Sequence, residues 1–163
     1  MDNLTLARLE IPDSALLLYE QMAIRDPDRS GNWRFLFRAD GGFYHARNTR
    51  LWVTDPALLA SDDPALFWNT PFPATPTRAL SPQQRDELER AISTADFPAL
   101  ARRSPFTPHG RVSDPSVERW TAIQDGETRS VVVESGAAPP ELVTLRTTID
   151  ALVAAAPAAP AAS

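Results

Sequence analysis

The sequence predicts an α+β fold: an antiparallel sheet with two helices packed on one face. Three observations lead there. In "WRFLFR", Trp33, Phe35 and Phe37 alternate with Arg34 and Arg38, the period of two expected of a strand with one apolar face. Asp125-Gly126 stands between "ERWTAIQ" and "ETRSVVVE", a pair suited to a two-residue hairpin turn. Two stretches, 82–94 and 140–154, carry apolar residues at helical spacing. The order strands, helix, hairpin, helix describes segregated layers and not alternating βαβ units.

Taken from the N-terminus, "LTLARLEI" (4–11) reads as a strand through imperfect alternation of Leu4, Leu6, Ala7, Leu9 and Ile11. "SALLLYEQMAI" (14–24) fits a strand interrupted by Glu20, and also a short helix; pairing with 33–38 across the "RDPDRSGN" connection favours the strand. Asp40-Gly41-Gly42 supplies positions for positive φ, and Phe43-Tyr44-His45 resumes extended chain. "TRLWVT" (49–54) is a further strand. Residues 56–79 form a Pro-rich insertion in which "DPALLA" and "DPALFW" look like short helical turns led by Asp-Pro. Its aromatics, Phe67, Trp68 and Phe72, predict packing onto the core.

The first helix has Ser81 as N-cap, Pro82 at its first position and Gln84 closing a capping box. Leu88, Ala91, Ile92 and Ala95 make its apolar stripe, "DFPAL" ends it, and a Pro-rich loop follows over 102–116. The second helix turns Leu142, Leu145, Ile149 and Leu152 inward. Phe35, Phe37, Leu88, Ile92, Val132, Leu145 and Ile149 are the expected core. One domain over 1–154 is expected, with 1–32 as an N-terminal extension and 155–163 as a disordered Ala/Pro tail.

Composition narrows the function. Sixteen prolines in 163 residues, about twice the usual share of roughly 5%, predict long irregular connections. All 16 basic residues are arginine, interspersed with acids, and the net charge is −5. A nucleic-acid surface requires a basic stripe, so no nucleic-acid partner is expected. The opening "MDNLTLARLE" has no basic then apolar leader pattern, no apolar run approaches a membrane span of about 20 residues, and cysteine is absent. Neither membrane association nor disulfides are expected, and the cytoplasm is the default location.

Chemistry-bearing motifs are sparse. The two histidines, His45 and His109, have no metal-ligand spacing around them, and no nucleophile elbow, phosphate loop or dinucleotide fingerprint occurs. Asp62-Asp63 precedes a proline and reads as turn and cap. No catalytic residue, metal or cofactor is therefore expected. Trp52, Trp68 and Trp120 read as packing residues or, at an accessible rim, as interface anchors.

The segment "FRADGGF" (37–43), then Leu80-Ser81-Pro82 opening a helix that ends in "ADFPAL" (95–100), resembles the emfourin family. The 118–134 hairpin and the Pro-led helix from 140 complete the family order, so the similarity spans about 33–154. The resemblance implies a small bacterial inhibitor whose partner is a thermolysin-like metalloprotease. Asp40, Gly41, Gly42, Phe43 and Tyr44 are the expected contact surface, because a Gly-Gly turn admits close backbone approach and a flanking aromatic can anchor. Trp68 and Phe72 are a second candidate surface. The alternative is an interaction or structural subunit of a larger bacterial assembly. A third reading is a small enzyme using His45 or His109.

Overall fold

The computed structural model describes residues 15–23, 33–47, 71–110 and 116–158. Strands β1 (Ala15–Ala23), β2 (Trp33–Arg38), β3 (Gly42–Arg47), β4 (Arg78–Ala79), β5 (Ser116–Gln124) and β6 (Glu127–Glu134) form one sheet. Its order is β4-β3-β2-β1-β5-β6, antiparallel throughout. Helices α1 (Pro82–Ala95), α2 (Phe97–Arg103) and α3 (Pro140–Ala155) supply the second layer. The predicted class is the observed one, with one helix more than expected.

The 14–24 stretch, read as a strand pairing with 33–38, is β1, and it lies inside the sheet between β2 and β5. Tyr19 lies opposite Phe35 on one side and Trp120 on the other. Glu20 does not interrupt the strand, because its cross-strand neighbours are Arg34 and Arg119. The strands expected at 4–11 and 49–54, and residues 56–70 of the Pro-rich insertion, lie outside the described residues.

Leu17, Tyr19, Phe35, Phe37, Phe43, Trp120, Val131 and Val133 cover one face and meet the buried residues of all three helices in one cluster. Leu88 and Ile92 come from α1, Phe97 and Leu100 from α2, and Leu142, Leu145 and Ile149 from α3. The opposite face is also buried, by Ala15, Leu18, Leu36 and Tyr44 with Phe72 and Ile123 packed on them. Val132, expected in the core, is half-buried, because its register against Arg119 turns it to this second face.

Local chemistry explains the remaining boundaries. Ser81 accepts from the Gln84 amide at 3.1 Å and the Gln84 side chain accepts from Ser81 N–H at 2.9 Å, the capping box that the sequence predicts. "DFPAL" does not simply end α1. Asp96, at φ 60°, closes it and then caps α2 by accepting from Ala99 N–H at 3.2 Å. Asp125 and Gly126 both take positive φ, 52° and 76°, as the hairpin turn requires. Beyond α2, Phe106 accepts from Glu134 N–H and donates to Val132 O, which covers the outer edge of β6. The tail expected to be disordered from 155 is held as far as Ala158, which bridges Arg78 on the other edge strand.

Candidate functional site

The Asp40–Tyr44 segment is the β2–β3 turn, and most of it is enclosed. Gly41 takes φ +94°, accepts from Leu80 N–H at 2.8 Å and donates to Arg38 O at 3.0 Å. A Cβ on Gly41 would lie 2.7 Å from the Leu80 carbonyl oxygen, so the close backbone approach is to this chain's own Leu80, the residue after β4. Gly42 has ordinary φ and receives the Asp40 carboxylate on its N–H at 2.9 Å. Phe43 is in the helix-side core, whereas Tyr44 lies in the second-face cluster and accepts from Arg38. Only Asp40 is well exposed. Phe72 is half-buried with its ring 4.3 Å from the Arg34 guanidinium, and Trp68 lies outside the described residues. The expected surface is thus split between two faces of the sheet.

These facts separate the two glycines. Gly41→Ala is expected to lose about 1–3 kcal/mol, from positive φ and the backbone clash. Gly42→Ala should lose less, because its nearest obstacle is the Tyr44 ring at 2.9 Å, a side chain. Urea midpoints of the two variants check this, and the reverse order would contradict it.

A different group converges at the far end of the same strands. Tyr19, fully buried, has Phe35 stacked at 4.8 Å, Trp120 edge-on at 4.6 Å and Trp33 tilted at 5.0 Å. His45 stacks on Trp33 at 5.7 Å. From α3, the Arg146 guanidinium lies 4.9 Å from the Tyr19 ring and 5.0 Å from Trp33, held by Asp150 one turn on at 3.1 Å. The Tyr19 hydroxyl reaches Glu118 Oε1 at 2.5 Å and Gln21 Oε1 at 2.9 Å. With one proton to give, the charge-assisted bond to the carboxylate is the stronger. Burial first, then the negative charge of Glu118, push the phenol pKa up, so Tyr19 stays neutral.

The rim is open. His45 and Arg47 are exposed, and Trp33, Gln21, Glu118 and Arg146 are half-buried. His45 has its pKa lowered, by desolvation first and by the Arg47 charge second. Neutral imidazole, indole and two guanidiniums therefore share one corner, pre-positioned by a packed aromatic floor. Sequence reasoning named Trp33 and His45 but not Arg146, Glu118 or Tyr19 as their companions. Tyr19 and Glu118 meet only through the β1–β5 pairing, and Arg146 only through the path of α3.

His109 is exposed beside Gly110. Among the described residues no cluster of three or more His, Asp or Glu could hold a metal ion, and no helix is long and apolar enough to cross a membrane. Neither a family model nor a curated protein sequence matches the chain.

Proposed function

We propose that the protein is a binding domain that engages another protein, with inhibition of a thermolysin-like metalloprotease as the specific form. The Trp33–His45–Arg47–Arg146 corner carries this reading. Tryptophan and arginine dominate binding hot spots, and rings already locked by packing lose little freedom when a partner covers them. The emfourin resemblance supplies the partner class, and the order of strands, helix, hairpin and helix is compatible with it. Tyr19 and Glu118 are occupied with each other, which suits a scaffold for the rim better than a reacting pair.

The test is titration of the purified chain against a panel of thermolysin-like proteases. Stoichiometric loss of protease activity is expected. Arg47→Glu should weaken inhibition at least about tenfold, or about 1.4 kcal/mol, with an unchanged melting temperature because Arg47 is exposed. Full protease activity across the panel at excess protein would overturn the inhibitor form and leave the assembly-subunit reading.

A further inference from the structure

We infer that the cleft between α1 and α3 is a docking groove for a basic amphipathic helix of a partner protein. This goes beyond the inhibitor reading, because it uses a different surface and needs no protease.

The cleft has a volume of about 510 Å3, within the range of formed binding pockets. Ala91 and Ala95 from α1 and Pro140 and Leu145 from α3 give it an apolar floor. The two alanines, one turn apart, leave room for a backbone to come close. Among the described residues its charged lining groups are two carboxylates, Glu87 and Glu141.

Glu141 stands at the edge of the cleft with its side chain 40% exposed. Its Oε1 accepts from Arg103 at 3.4 Å, a long contact. A partly exposed carboxylate with one long contact has capacity for a further charge-assisted bond from a cationic donor. An apolar floor with acidic flanks thus fits an apolar stripe bordered by lysine or arginine, presented on a helix. The net charge of −5 favours the same partner at long range. A second copy of this chain would bring carboxylates against carboxylates.

Two synthetic helices of about 16 residues, long enough to be helical, provide the test. One is amphipathic Leu/Ala/Lys and the other has glutamate at every lysine. Each is titrated into the full chain while the Ala91 and Thr144 methyl resonances are followed. The lysine peptide should shift both methyls and bind at least tenfold tighter than the glutamate peptide. Thr144→Arg and Glu87→Arg, both at exposed helix positions, should each reduce that affinity at least tenfold with unchanged melting temperature. Unshifted methyls, equal binding of the two peptides, or full affinity in Thr144→Arg would each overturn the proposal. So would a dimer of the free chain that Thr144→Arg dissociates, which would assign the cleft to a second copy. Protease inhibition is not a readout here, so the two readings fail separately.

Discussion

Replacing Arg119 with alanine should cost about 3–5 kcal/mol of folding stability, the range for breaking a buried ion pair from one side. Glu20, at the centre of β1, has a side chain with 0% exposure, and that of Arg119 has 6%. The guanidinium holds the carboxylate with two parallel bonds, Nε to Oε1 at 2.8 Å and Nη2 to Oε2 at 3.0 Å. Alanine at 119 would leave that carboxylate in a site closed to water. Arg34, opposite Glu20 on β2, remains as a neighbouring cation and limits the loss. Removing both charges together is a different matter. Glu20→Leu with Arg119→Met fills the same space with apolar atoms, and its loss should fall well below the sum of the two single losses. Urea unfolding of the three variants supplies the comparison. A loss under about 1 kcal/mol for Arg119→Ala would mean that the pair behaves like an exposed one.

The same pair explains part of what the sequence could not show. Alternation identified β2, because Arg34 and Arg38 mark one of its faces. In β1 both faces are buried, so Leu17 and Leu18 are equally apolar and the period of two is lost. Glu20 then looked like a break, when its partner lay 99 residues away. Val131-Val132-Val133 hides its register for a similar reason. Helix α1 was legible because its caps are local, through Ser81, Pro82 and Gln84. The turn into α2 was not, because Asp96 adopts a left-handed conformation that residue type alone does not announce. The site was the least legible part. Gly41-Gly42 signals close backbone approach, but not whether a partner or Leu80 makes it. Arg146 resembles any solvent-facing helix arginine until α3 is laid over Tyr19 and Trp33.

Trp120→Ala should cost about 3–5 kcal/mol, and Trp120→Phe much less, about 1–2 kcal/mol. Trp120 is 2% exposed and supports the aromatic floor from β5, edge-on to Tyr19 at 4.6 Å and to Phe35 at 6.4 Å. Alanine would remove the indole volume from a close-packed site, and the β1 and β5 ladders on either side restrict collapse into the gap. Phenylalanine keeps most of the ring area and the edge contact. It also deletes an indole N–H that is buried without a hydrogen-bond partner among the described residues. Removing such a group offsets part of the lost packing, since leaving it unpaired costs about 1–3 kcal/mol. The two variants also bear on the proposed binding corner. Tyr19 positions Trp33 and Arg146, so a gap beneath it should loosen the rim and weaken partner binding even where the chain remains folded. Trp120→Phe should leave both intact. Urea midpoints beside titrations against any protease that the wild-type chain inhibits measure the two effects. Equal losses of stability in Ala and Phe would show that ring volume does not govern the site.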